Sequence, residues 1–151
     1  RLAYSKVQPL FWKMSNNANK EQKEFFNNII KDKDYLALVH KLDGISGFVI
    51  GEISGLSHYF QQQKICKVDD LALRYEKDWV TVGKDLLMHL SSQLPEEISQ
   101  FNVVCGAHDK HKKELLSDLG LVISYNWWTA PIDEINLLEH LGQTMESSQI
   151  E

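Results

Sequence analysis

Two adjacent carboxylates, Asp69 and Asp70, stand inside an apolar run that ends at Leu71-Ala72-Leu73; a short polar turn follows, and helical spacing resumes ahead of Leu86-Leu87. Strand, loop and helix in that order aim the free N–H groups of the helix's first turn, and its positive dipole end, at one point. Such a point can bind a phosphate with no dedicated side chain. The loop groups in place to do so belong to Val80, Thr81, Val82, Gly83 and Lys84, preceded by Asp78 and Trp79. Gly83 has two readings. Its missing Cβ either lets the backbone come close to a ligand, or lets the helix start pack closely on the sheet with Thr81 or Asp78 as an ordinary N-cap. The acids also have two readings. A carboxylate in an apolar strand can attract an ammonium group and, where burial raises its pKa, take a proton from it through water; or both acids are solvated or paired charges. Alternation along a strand lets only one of them face a cleft, with Asp69 on the parity of Leu71 and Leu73 and Asp70 on that of Val68 and Ala72.

The elements that must position these groups can be read along the chain. Residues 1–14 read as a helix interrupted at Pro9 and anchored by Leu10, Phe11 and Trp12. Asn19, with Gln22 three residues on, reads as the N-cap of an amphipathic helix carrying Phe25, Phe26, Ile29 and Ile30. Residues 35–41 and 45–54 read as strands joined at Asp43-Gly44, a tight-turn pair that makes them an antiparallel hairpin. After a polar loop over 56–63, a strand over 64–73 completes a meander of three. A helix over about 82–94 places Leu86, Leu87, Leu90 and Leu94 on one face and ends before Pro95. A strand over 101–107 follows, then a helix capped by Asp109, with Leu115, Leu116 and Leu119 inward and Gly120 at its end. An aromatic strand over 121–131, a weakly patterned helix over 132–145 and a flexible tail over 146–151 complete the reading.

With 151 residues, 43% of them hydrophobic and 25% charged, the chain is expected to form one domain over 1–151. A net charge of −5 excludes the basic footprint of a nucleic-acid binder and is compatible with a cationic amine as substrate. No apolar run approaches a membrane span and no Lys/Arg-flanked leader is visible, so no membrane partner and a cytoplasmic location are expected. The chain begins at Arg1 rather than Met, and further sequence is expected upstream. Cys66 and Cys105 lack Cys-x-x-Cys spacing and read as buried, reduced thiols. His40, His58, His89, His108 and His140 show no ligand spacing, and no metal is expected.

Two segments carry a family resemblance. Leu71-Ala72-Leu73, the loop ending in Gly83 and the following Leu86-Leu87 are similar to the acetyl-CoA-binding motif of the GNAT N-acetyltransferase superfamily, whose pattern is Arg/Gln-x-x-Gly-x-Gly/Ala. Gly83 holds the last position, whereas Asp78 stands in place of Arg or Gln and Thr81 in place of the first Gly. Residues 109–121, ending Leu119-Gly120-Leu121, resemble the family's Asn-x-x-Ala-x-x-Leu-Tyr-x-x-Leu-Gly-Phe segment. Leu116 stands in place of its tyrosine, which typically protonates the leaving thiolate. Substitute donors are His111, Ser117 and Tyr125. His111 with Lys110, Lys112 and Lys113 reads as a solvated basic face; Tyr125, in Tyr125-Asn126-Trp127-Trp128, reads as a core or acceptor-pocket residue.

The resemblance spans roughly 1–131 and implies an α+β (α/β) fold: a GNAT-like mixed sheet in which an antiparallel meander precedes strand-helix-strand-helix-strand. The family's first strand is absent or upstream of Arg1, and its fourth and fifth strands, here 64–73 and 101–107, splay apart. Acetyl-CoA is implied as cosubstrate. Backbone groups of Leu71, Ala72 and Leu73 would hold its pantetheine arm, and the run from Asp78 through Trp79, Val80, Thr81, Val82 and Gly83 to Lys84 its pyrophosphate. Asp69 matches the family's catalytic carboxylate most closely, with Asp70 beside it, and Tyr125 is the further catalytic candidate. The implied activity is transfer of acetyl to a primary amine of a small molecule or peptide. Asp78, Thr81 and Leu116 favour the alternative, a degenerate GNAT-fold module for CoA binding or protein interaction. A homodimer is compatible with either.

Overall fold

Asp43 and Gly44 both take positive φ, 50° and 108°, and the chain reverses there. This turn joins β1 (Tyr35–Lys41) to β2 (Ile45–Gly55), and both strands run as expected from the sequence. A computed structural model describes residues 2–56, 64–98 and 100–124. The chain divides into two compact units, one of 16–122 and one of 1–15 with 123–151. In the second, α1 (Leu2–Val7) and α2 (Pro9–Trp12) break at Pro9, which has no N–H to donate and whose ring clashes with the preceding turn. The Trp12 ring meets Tyr4 and Phe11 edge-on at 5.3 and 5.1 Å.

In the larger unit, α3 (Ala18–Ile29) precedes β1. Its N-cap is Asn17 rather than Asn19, and no side chain bonds the cap. The hairpin is extended by β3 (Lys64–Leu73), antiparallel to β2, and by β4 (Phe101–Val103), parallel to β3, in the order β1-β2-β3-β4. This is a mixed α+β sheet. α4 (Lys84–Ser92) links β3 to β4, and α5 (Lys110–Asp118) follows. Asp109 caps α5 by accepting from Lys112 N–H at 3.2 Å, and Gly120 ends that helical segment at φ 82°. Residues 121–124 are irregular rather than strand. The expected elements at 125–131 and 132–145 and the tail lie outside the described residues, as does most of the loop over 56–63. No described helix is long and apolar enough to cross a membrane.

The core gathers Val49, Cys66, Val68 and Leu71 of the sheet with Leu86, Leu87 and Leu90 of α4 and Leu115 and Leu116 of α5. Phe26 of α3 meets Phe48 of β2 edge-on at 6.2 Å.

One irregularity matters for the site. Ile50 faces Asp70 and Glu52 faces Lys67, so Val68 and Asp69 together oppose the single residue Gly51. This is a β-bulge in β3. Directly paired residues share a face, so Cys66 (opposite Ile53), Leu71 (opposite Val49) and Leu73 (opposite Gly47) lie on one side. Lys67, Asp70 and Ala72, opposite Glu52, Ile50 and Phe48, lie on the other. The strict alternation expected across the two acids is therefore broken between them.

Candidate functional site

The parallel pairing of β3 with β4 is short. It runs from Cys66 opposite Phe101 to Val68 opposite Val103, bracketed by Cys66 N–H donating to Gln100 O (3.0 Å) and Val104 N–H donating to Val68 O (2.9 Å). The expected strand over 104–107 is absent: the backbone there is irregular and leads into α5. Arg74 N–H donates to Ser46 O on the β2 side at 2.8 Å. By alternation Ala72 also turns its backbone groups to β2, and Leu71 and Leu73 turn theirs the other way, past the point where β4 has left. The carbonyl of Leu71 meets Lys112 Nζ there, at 3.5 Å.

Lys112 corrects the sequence reading most directly. Expected on a solvated basic face, it is 2% exposed. Burial pulls its pKa below the ordinary lysine value, opposed by Cys105, Asp109, Asp70 and Asp69. Its neighbours Lys110 and Lys113 are exposed, and His111 is half-buried. Cys105 is also half-buried rather than buried, and burial raises its thiol pKa.

Asp69 is at the bulge, 44% exposed, with its carboxylate 2.8 Å from Lys67 Nζ. An ion pair so solvated is worth less than about 1 kcal/mol. Asp70 is half-buried on the face of β3 opposite Ile50.

Residues 74–81 were expected to form an open loop, but most of them are wound. A 3₁₀ turn, Glu76–Asp78, runs into a wide π turn, Trp79–Gly83, which continues as α4. Trp79 N–H is taken by Glu76 O and Lys84 N–H by Thr81 O, and Asp78 makes no side-chain capping bond. The turn opens the helical run that continues as α4, so the positive end of the helix dipole lies on its side. Val80 and Thr81 are exposed, whereas Trp79 and Gly83 are buried. Gly83 has helical φ and ψ, −62° and −43°. A Cβ on it would lie 2.9 Å from Leu115 Cδ2 and 3.3 Å from both Leu73 Cδ1 and Trp79 Cε3. Close packing alone is therefore reason enough for glycine at this position.

No family model matches the chain, and no curated protein matches it at a significant level. Solved structures do. A single-residue variant of the BH1408 protein from Bacillus halodurans is 14% identical with a TM-score of 0.70, covering 86% of this chain and 85% of its own. The ribosomal-protein-alanine N-acetyltransferase of Brucella melitensis biovar Abortus 2308 is 16% identical at 0.54, covering 71% and 76%. The aminoglycoside N-acetyltransferase AAC(6')-Iy, bound to the bisubstrate analog CoA-S-monomethyl-acetylneamine, is 11% identical at 0.61, covering 83% and 85%. The chain has the GNAT fold. In the GNAT order of elements β3 and β4 are the fourth and fifth strands, and their separation beyond Val68 is the splay. Leu116, at the tyrosine position of the GNAT pattern, is in the core. Of the substitute donors, Ser117 is exposed and Tyr125 lies outside the described residues. Among the described residues no three His, Cys, Asp or Glu side chains converge to hold a metal.

Proposed function

We propose that the chain is an N-acetyltransferase that moves acetyl from acetyl-CoA to a primary amine of a small molecule or peptide. The observation that carries this reading is the parting of β3 from β4 within a GNAT fold, with backbone groups of Leu71 and Leu73 turned into it. In this reading those groups hold the pantetheine arm, while Ala72, turned to β2, supports the strand. The shoulder of the π turn, exposed Val80 and Thr81 with half-buried Val82, receives the pyrophosphate at the positive end of the helix run. Asp78, Trp79, Gly83 and Lys84 frame that shoulder, with Gly83 set by packing as well. Asp69, solvated at the bulge, takes the proton of the incoming ammonium through water, with Asp70 behind it. Two acetyltransferase neighbours, one acting on ribosomal-protein alanine and one on aminoglycosides, are compatible with an amine acceptor. Release of free thiol from acetyl-CoA across a panel of small amines and peptides tests the proposal. Thiol release above the buffer rate with at least one amine is the expected result, and none across the panel would remove the activity.

A second reading, a CoA-binding or protein-interaction module without turnover, is favoured by Leu116 in the core and by Lys112 at the Leu71 carbonyl. It predicts CoA binding by calorimetry without thiol release.

A further inference from the structure

An ammonium carries three N–H donors and no acceptor. Lys112 is 2% exposed, and among the described residues its Nζ donates to a single acceptor, Leu71 O, at 3.5 Å. The groups that act on it through space are the Cys105 thiol, Asp109 at the start of α5, and Asp70 and Asp69 from β3. A buried cation with unmet donors is expensive unless an acceptor completes its shell. The place where this one sits is the parting of β3 and β4, the side to which Leu71 and Leu73 turn their backbone groups.

Helix geometry adds a second observation. Lys112 and Leu116 are four residues apart on α5, hence on one face about 5–6 Å apart at Cβ, and both are buried. Leu116 occupies the position of the tyrosine in the resembled pattern and can donate nothing. A lysine one turn earlier, with four methylenes and a terminal donor, can bring an N–H to the region that a tyrosine hydroxyl would have served.

Resting on the proposed acetyl transfer, we propose that Lys112 is the group that receives the departing sulfur, its ammonium bonding and protonating the CoA thiolate. The neutral amine attacks the thioester carbonyl and forms the C–N bond. As the intermediate collapses the C–S bond breaks and its electron pair goes to sulfur. Nζ passes a proton to that sulfur, leaving CoA thiol and a neutral lysine, and the proton shed by the acylated nitrogen returns through water to restore the ammonium. The lowered pKa that burial gives Lys112 suits this role, because it brings the donor nearer to the acidity of a thiol.

The test needs no acceptor. A thiolate absorbs in the ultraviolet, so the thiol of bound CoA can be titrated in the parent, Lys112→Met, Lys112→Gln and Lys112→Arg, with desulfo-CoA complexes as blanks to remove Cys66 and Cys105. The expected pKa of the bound thiol is lower by about one pH unit or more in the parent and Lys112→Arg than in the neutral variants. An apolar chain of similar length fills the same space without the cost of burying a charge, so Lys112→Met should fold, and Lys112→Gln supplies a second neutral side chain. With an acceptor in hand, kcat of Lys112→Met should fall about 10²-fold while CoA affinity changes little. Equal thiol pKa values in parent and neutral variants, with CoA bound to both, overturn the role of Lys112 alone. Failure of the parent to bind CoA overturns the acetyl-transfer reading and this one with it.

Discussion

Substituting Gly83 separates packing from ligand approach. Its φ and ψ are helical, so alanine fits the backbone and should gain about 1 kcal/mol of helix propensity over glycine. Against that, the new methyl meets Leu115 Cδ2 at 2.9 Å, where ordinary carbon contacts lie near 3.5–4.0 Å, and is walled on two further sides by Leu73 and Trp79 at 3.3 Å. Leu115 is buried, and its methyl has little room to retreat. Overpacking of this kind costs about 1–3 kcal/mol. The balance is a net loss of about 1 kcal/mol for Gly83→Ala and about 3 kcal/mol for the bulkier, β-branched Gly83→Val. Urea titration at constant m-value measures this. Trimming the opposing side chain should restore part of it: the double variant Gly83→Ala/Leu115→Val should show a coupling of at least about 0.5 kcal/mol in a mutant cycle. A Gly83→Ala protein as stable as the parent would refute the packing argument. If that same protein lost CoA binding, the glycine would be there for the ligand.

Four further outcomes are expected. Asp69→Asn keeps the side-chain shape and removes its basicity, so turnover on a confirmed acceptor should fall about 10²-fold; the loss of its exposed pair with Lys67 should change stability by less than about 1 kcal/mol, and unchanged turnover would take Asp69 out of the mechanism. Asp78→Arg exchanges a repulsive charge for an attractive one beside the π turn, so calorimetry should find tighter CoA binding, most clearly at low salt; unchanged affinity would place the pyrophosphate elsewhere. Asp109→Ala removes the cap bond to Lys112 N–H and should cost about 1 kcal/mol, seen as a fall in Tm of about 2–4 °C. Burial pushes the Cys66 thiol from 9.0 up to about 11. Its contribution to stability is therefore whole below pH 9.0 and lost as pH rises toward 11, because the unfolded chain ionises first; Cys66→Ala should show a shallower fall in Tm over that window, and parallel curves would count against it.

The features legible in the sequence were those fixed by local chemistry. Asp43-Gly44 announces a reversal because few other pairs tolerate two positive φ values in a row, and Asp109 announces a helix start because its carboxylate can meet an N–H three residues on. β3 could be bounded at Lys64 and Leu73 for a similar reason, since its apolar run stops at both ends. What could not be read depends on partners distant in sequence. The bulge at Val68 and Asp69 exists only in relation to Gly51, so an alternation argument confined to β3 is right to group Asp70 with Ala72 but wrong to group it with Val68 rather than Lys67. The strand expected over 101–107 ends at Val103 because only its first three residues have a neighbour on β3. The winding of Glu76–Gly83 likewise depends on Trp79 and Gly83 being drawn into the core against Leu73 and Leu115.

Lys112 is a different case, because the sequence did contain its signature. Residues 112, 115, 116 and 119 form the i, i+3, i+4, i+7 stripe of α5, and the leucines on that stripe were recognised as inward-facing. Charge type groups the lysine with Lys110 and Lys113, its neighbours in sequence, whereas position groups it with Leu115 and Leu116, its neighbours on the helix. Spacing was the better guide, since a helix that buries one face buries every residue on it. A charged residue on an apolar stripe therefore marks a place where the fold accepts a desolvation penalty. Here that place is also where two strands part and β3 turns the backbone of Leu71 and Leu73 away from β2. The two facts share one explanation if the ammonium and the open strand edge serve the same ligand, and that coincidence is why Lys112, rather than the more conspicuous acid pair, carries the chemical proposal furthest.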